Sequence, residues 1–269
     1  KKNINFLKIG DLNIKNLDKN KINLLNIKYS TKKAFEKTSK KSKKYIDECF
    51  QLALKLLKKK ITNKFINGPI SKKYFLSPKI PGITEYLAKK TQTKKFAMLI
   101  YNKNLSVCTL TTHIPIKNVN QNITKKRIFE KVRLITSFYE KNFNKSPRIG
   151  ILGLNPHCET INKFDEDQKI IKPAVRILKK KGFHVSGPYS ADTSFTKENR
   201  KKFDVILGMY HDQVLTPLKT LYEYDAINIT LGLPFIRISP DHGPNEKMLG
   251  KNTSNPLSLI QAISFLDKN

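Results

Sequence analysis

Residues 205–213 read VILGMYHDQ: an apolar, partly β-branched run, a glycine, then a histidine between tyrosine and aspartate. A run this short, closed by a turn signal, reads as a buried strand with His211 and Asp212 just past its carboxyl end. The pattern recurs. Leu105 to Thr112 (LSVCTLTT) closes on His113, and Ile149 to Leu154 (IGILGL) reaches His157 through a short Asn155-Pro156 turn. Further short strand-like runs fall at 96–100, 183–186 and 227–231. Between them lie segments with apolar residues at helical spacing. Residues 39–60 carry Tyr45, Ile46, Cys49, Leu52, Leu54, Leu56 and Leu57; 125–142 carry Ile128, Phe129, Val132, Ile135 and Phe138; 167–181 carry Ile170, Ile171, Val175 and Ile177. Strands alternating with helices predict an α/β fold with a largely parallel sheet.

In open α/β sheets, ligand crevices form outside the carboxyl ends of the strands. His113, His157 and His211 sit at three such ends and could supply three neutral imidazoles to one divalent ion, leaving positions free for a substrate. The alternative is that each simply caps its loop. His184 falls inside a strand-like segment, and His242, in Asp241-His242-Gly243-Pro244, is a second-tier candidate in another strand-end loop. Asp212 and Asp192 could orient imidazoles, bind the ion or accept a proton, or stand solvated in turns. Lys219 and Arg237 could hold a carboxylate or phosphate. No Gly-x-Gly-x-x-Gly fingerprint follows a strand, so no dinucleotide motif is visible.

The chain has 269 residues, 39% of them hydrophobic, enough for one large domain or two ordinary ones. Its 52 Lys+Arg against 21 Asp+Glu give a formal charge of +31. Nucleic acid would then be a natural partner, but the basic residues are mostly lysines scattered along the chain. Specific readers concentrate arginines and aromatics on one element, so no specific nucleic-acid partner is expected and the charge favours anionic substrates. Three well-separated cysteines (Cys49, Cys108, Cys158) form neither a disulfide framework nor a zinc pattern. They read as reduced thiols, with Cys158, beside His157, the one that could be reactive. No apolar stretch is long enough to span a bilayer, and the lysine-rich start is not followed by a signal-peptide core, so a cytoplasmic protein with no membrane partner is expected.

At these same residues the chain resembles the 4-hydroxythreonine-4-phosphate dehydrogenase family of pyridoxal phosphate biosynthesis. The matching segments are Asn67 to Lys72 (NGPISK), Gly82 to Glu85 (GITE), Thr111 to Pro115 (TTHIP), Gly153 to His157 (GLNPH), Gly187 to Thr193, Met209 to Gln213 (MYHDQ) and Asn228 to Gly243, collinear from about residue 60 to 250. The resemblance implies that His113, His157 and His211 are the metal ligands, in a homodimer whose active site is shared between subunits. It implies that Thr84, Lys219, Asn228 and Arg237 contact a small phosphorylated substrate, with Asp192 and Asp212 lining the same pocket. It implies NAD or NADP and a divalent metal (Zn, Mg or Co) as cofactors. The implied fold is two α/β/α domains flanking a cleft, like isocitrate and isopropylmalate dehydrogenases. Residues 1–77 and 245–269 would form the first domain, and 78–244 the second, which carries the histidines.

The implied reaction is metal- and NAD(P)-dependent oxidation, with decarboxylation, of 4-phosphohydroxy-L-threonine to 3-amino-2-oxopropyl phosphate, with Asp212 or Lys219 relaying the proton. Two features depart from the family. Ile83 stands where the family has a substrate-contacting histidine, which removes a hydrogen-bond donor; Lys72, Lys73 or Lys79 could compensate. The chain also opens without the family's Gly-Asp-Pro-type strand and loop, so a shortened or truncated first domain is expected. Ile83 keeps open a paralogous dehydrogenase of a phosphorylated four-carbon sugar acid (phosphothreonate or phosphoerythronate). A non-catalytic basic binding protein is the reading from a different class.

Overall fold

Short runs buried on both faces decide the strands of the main sheet, and amphipathic spacing decides the helices laid over them. The computed structural model describes residues 3–8, 17–31, 33, 35–77, 80–161 and 164–268; Lys79 lies outside them. The chain begins with β1 (Ile4–Leu7) and β2 (Ile22–Leu25), then α1 (Ser42–Lys58), β3 (Lys64–Ile66), α2 (Lys72–Phe75) and α3 (Ile83–Lys90). It continues through β4 (Ala97–Tyr101), β5 (Ser106–Thr109), α4 (Lys125–Phe143), β6 (Ile149–Leu152) and a π-helical turn (Asp167–Ile171) that runs into α5 (Lys172–Lys180). Then come β7 (Val185–Tyr189), α6 (Ala191–Ser194), α7 (Lys197–Arg200), β8 (Val205–Gly208), α8 (His211–Tyr222), β9 (Ile227–Leu231), β10 (Ile236–Pro240) and α9 (Leu257–Lys268). Among the described residues, no helix is long and apolar enough to cross a membrane.

Strands β1 and β2 form a small parallel pair, and the rest join in one sheet of order β3-β10-β9-β4-β5-β8-β6-β7. The expected parallel character holds for β5-β8-β6-β7, but β4-β5, β4-β9 and β9-β10 pair antiparallel. The reason is connection length: β4-β5 and β9-β10 are joined by turns of four residues, which cannot make a parallel crossover. In the second of these turns Gly232 takes φ +89, and a side chain there would run into the Lys95 carbonyl.

The central strands feed two cores. Met98 and Ile100 of β4 pack with Val107, Leu152, Ile206 and the α8 residues Val214, Leu215 and Leu218 on one face. Leu99 packs with Cys108, Ile151, Leu207 and the α4 residues Ile128, Val132 and Ile135 on the other. Helix α4 starts where the Thr124 hydroxyl accepts the Arg127 N–H (3.2 Å) and stops at left-handed Asn144. A third, aromatic cluster of Phe50, Phe75 and Tyr86 locks α1, α2 and α3 together, with Tyr86 donating to Asp47 (2.7 Å).

Asp204, at the entrance of β8, ties β8 to the start of β6. It accepts from the Arg148 backbone N–H (2.8 Å), the Arg148 guanidinium (3.1 and 3.2 Å) and Lys145 (2.8 Å). Burial pushes this carboxyl up, but the donors outweigh it and hold it below the ordinary aspartate range. Asp204→Asn is therefore expected to cost about 1–3 kcal/mol in urea unfolding at pH 7. A depressed folded-state pKa stabilises above the unfolded value and loses that stabilisation as the pH falls through the folded one. The gap between the two proteins should accordingly narrow as the pH drops below about 4.

Candidate active site

Strands β5, β8 and β6 are neighbours and run parallel, so their carboxyl ends, each leading into a histidine, lie side by side. Two side chains fasten those ends. The Thr111 hydroxyl donates to the Met209 carbonyl (2.7 Å), joining the end of β5 to that of β8. Gln213 accepts the Met209 N–H (2.7 Å) and donates to the Gly153 carbonyl (2.8 Å), joining β8 to β6.

A cavity of about 640 Å³ opens beside these ends, lined by Thr84, His113, His211, Asn228, Arg237 and Asp241 among others. That volume suits a small ligand with a few converging polar groups. The His113 and His211 rings are 5.9 Å apart, centre to centre. Their partners fix their tautomers. Asp212 Oδ1 is 2.7 Å from His211 Nδ1, and a carboxylate only accepts, so Nδ1 carries a proton and, in the neutral ring, Nε2 is the acceptor. Lys72 Nζ is 3.2 Å from His113 Nε2, and an ammonium only donates, so the His113 proton sits on Nδ1, facing Glu85 Oε1 at 3.4 Å. Both imidazoles thus turn an acceptor nitrogen away from a carboxylate, the arrangement that suits metal ligation, and a cationic group already stands at one of them. Burial pushes the Glu85 carboxyl up, yet its bond from His113, its own N–H and nearby Lys72 together leave it below its ordinary value. Gly82 leaves room for this contact, since a Cβ there would lie 2.5 Å from Glu85 Oε2 and 2.9 Å from the His113 ring.

The same cavity also holds fixed cations. Arg237, 2% exposed, donates through Nε to Asn67 (2.8 Å) and through Nη1 to Thr230 (3.0 Å). Burial pulls its guanidinium down to about 10, opposed by Glu85, so it remains charged at neutral pH. The Thr84 hydroxyl is 3.4 Å from that of Thr230, and the buried Oδ1 of Asn228 has no partner among the described residues. Lys219 donates to both the carbonyl and Oδ2 of Asp241, each at 2.7 Å. Burial raises the Asp241 carboxyl, with Lys219, His211 and His242 pulling it back.

Of the residues singled out in the sequence, His113, His211, Thr84, Lys219, Asn228 and Arg237 line this one cavity, as do Ile83 and His242. His157 does not; it stands exposed on the loop after β6 with φ +58. Asp192 is exposed on α6, beyond β7, and Asp212 turns its exposed carboxylate to the back of His211 rather than into the cavity. Among the described residues, no three His, Cys, Asp or Glu side chains gather around a point that could hold a metal within a single chain. Cys158 is buried and its thiol is pushed up by burial, which fits a packing residue better than a reactive one. Glu85, Asn67 and Asp241 escape a reading of the sequence as site residues, because a lone carboxylate or amide in a turn carries no periodic signal.

The family described as pyridoxal phosphate biosynthetic protein PdxA matches residues 2–266. The chain belongs to that family. It is 43% identical over 265 residues to the 4-hydroxythreonine-4-phosphate dehydrogenase of Sulfurihydrogenibium sp., covering 95% of this chain and 81% of that one. It is 37% identical over 186 residues to the D-threonate 4-phosphate dehydrogenase of Pectobacterium atrosepticum, covering 69% of this chain and 57% of that one. The crystal structure of 4-hydroxythreonine-4-phosphate dehydrogenase from Klebsiella pneumoniae superimposes with a TM-score of 0.78 at 28% identity, over 97% of this chain and 82% of that one. The mixed α/β sheet described above is therefore the PdxA fold.

Gln213→Ala should cost about 1–3 kcal/mol, because it strands the Met209 N–H and the Gly153 carbonyl together. Thermal unfolding of the variant measures the loss against Thr216→Ala, a control at an exposed position of the same helix.

Proposed function

We propose that this PdxA-family chain is an NAD(P)-dependent dehydrogenase that oxidises, with decarboxylation, 4-phosphohydroxy-L-threonine to 3-amino-2-oxopropyl phosphate in pyridoxal phosphate biosynthesis. The observation that carries this reading is one cavity lined by two imidazoles, each with a carboxylate at its Nδ1, together with a buried arginine and a fixed lysine. The proposal includes a homodimer with a shared active site. His113 and His211 would hold the divalent ion from one protomer, and His157, which its own chain leaves outside the cavity, would complete the set across the interface. It also includes a division near residues 78 and 245, with a first domain made from both chain ends; α9 packing on β3 supports the closeness of those ends, while β3 pairs across the boundary with β10. The three free cysteines suit a reducing, cytoplasmic setting.

When bound, a divalent ion (Zn, Mg or Co) supplies an electrophile that lowers the pKa of the substrate hydroxyl, and NAD or NADP supplies the hydride acceptor. The chain's own groups do the rest. Arg237, Thr84 and Asn228 bind the anionic end of the substrate, with Arg237 held in place by Asn67 and Thr230. Lys219 commits two donors to Asp241, so it acts as a fixed cation with one N–H left for the substrate. Asp212 and Glu85 engage the two imidazoles at Nδ1, which would leave Nε2 of each neutral ring as the ligating nitrogen, with Lys72 giving way at His113.

A second reading rests on Ile83, which lines the cavity at the start of α3 and packs against the aromatic cluster. With no donor at that position, a phosphorylated four-carbon sugar acid remains a substrate candidate, as in the D-threonate 4-phosphate relative. Turnover of a panel of phosphorylated hydroxy acids with NAD and NADP, with and without chelator, decides between the two; no turnover of any of them would point to a binding protein. His113→Ala is expected to abolish turnover.

For 4-phosphohydroxythreonine, Ile83→His should lower KM at least several-fold, since an imidazole bond to a charged group contributes about 1.5–3 kcal/mol, roughly ten- to a hundred-fold in affinity. A wild-type enzyme already saturated at low micromolar substrate, and weakened by the change, would show a pocket rebuilt around isoleucine.

A further inference from the structure

The loop that presents His157 is the least comfortable backbone near the site. His157 and Cys158 follow one another at φ +58 and +63, in the left-handed region. For residues with a side chain, such a conformation is unfavourable and persists only where the surroundings over-determine it. Directly behind this loop lies Asp167, fully buried, at the start of the π-helical turn. Its Oδ1 accepts the Leu154 N–H at 2.7 Å, and its Oδ2 accepts both the Asn155 N–H and the Asn155 side-chain amide at 3.0 Å. The carboxylate presses so close to the chain that a Cβ on Gly153 would lie 2.7 Å from Oδ1.

The far side of the loop is held from the same segment. Asp165 accepts the N–H groups of Asp167 (2.9 Å) and Gln168 (3.1 Å), as a helix cap does, and its other oxygen accepts Thr160 N–H (3.1 Å). Gln168 in turn donates to the Cys158 carbonyl (3.4 Å). The carboxylates of Asp165 and Asp167 are therefore occupied by N–H donors and are not built to take a cation. What these bonds determine is where residues 154–160 run, and so where His157 points.

We propose that Asp167 is a positioning residue for His157: its buried carboxylate fixes the strained loop in the one course that lets the imidazole reach a metal site. This rests on the reading above that His157 completes that site. Groups that orient a metal ligand from behind typically change metal affinity by about 10- to 100-fold.

The test is Co(II) affinity of the full chain, by competition with a chromophoric chelator, for the wild type, Asp167→Asn and His157→Ala, with thermal unfolding of each in parallel. Asp167→Asn keeps the shape but sets an NH2 against N–H donors. It should weaken Co(II) binding about 10- to 100-fold while the protein still unfolds cooperatively. If Asp167→Asn fails to fold, Asn155→Ala, which removes one donor and leaves the carboxylate, carries the same test with a loss of several-fold. A weaker His157→Ala together with wild-type affinity in the folded Asp167 or Asn155 variant would overturn the positioning role alone. Wild-type affinity in His157→Ala would overturn the ligand assignment, and the inference with it.

Discussion

The amide of Gln213 sets the geometry on which the site depends. Among the described residues it bonds at once to the end of β8, through Met209 N–H, and to the end of β6, through the Gly153 carbonyl. Thr111 extends the link to β5. Parallel strands by themselves leave their terminal N–H and C=O groups free, and loops that leave a sheet diverge unless something holds them. Here orphan groups at three adjacent strand ends are tied to one another. The histidines that follow those ends inherit fixed starting points.

Charge around the cavity is layered. Carboxylates sit behind the imidazoles, Asp212 behind His211 and Glu85 behind His113, while Arg237 and Lys219 line the same cavity. The layering answers the problem of a chain with formal charge +31, in which loose lysines alone could attract anions but not orient them. Arg237 is oriented because it is buried and bonded to Asn67 and Thr230, and Lys219 because Asp241 holds it. Preorganised donors of this kind need not reorganise when a ligand arrives, and it is such groups, rather than net charge, that can orient an anion.

Much of this is legible in the chain. The helices expected at 39–60, 125–142 and 167–181 appear as α1, α4 and the π-turn with α5, because their apolar stripes are regular enough to dominate. The strands ending at His113, His157 and His211 appear as β5, β6 and β8, because each is a short buried run closed by a turn signal. Helix α8 is hidden by Pro217 in its interior, and β10 by Arg237, whose guanidinium reads in sequence as a solvent-facing group although it is buried. The two short antiparallel turns, which make the sheet mixed, follow from distance along the chain rather than from any residue pattern. Glu85 and Asp241 are invisible as site residues because their partners, His113 and Lys219, lie 28 and 22 positions away.

Two separately packed units meet at the cavity. The imidazoles grow from β5 and β8, braced by the strand-end links and by both sheet cores. Ile83 and Thr84 come from the first turn of α3, which the separate aromatic cluster of Phe50, Phe75 and Tyr86 holds over the cavity. A substitution at the start of α3 can therefore alter the donors offered to a substrate without moving a strand end. Ile83 makes an apolar contact with the aromatic cluster and offers the cavity no hydrogen-bond donor, while the histidine contacts with Asp212, Glu85 and Lys72 do not involve it. Glu85 lies in that same turn of α3, so the aromatic cluster that places Ile83 and Thr84 also places the carboxylate that faces His113.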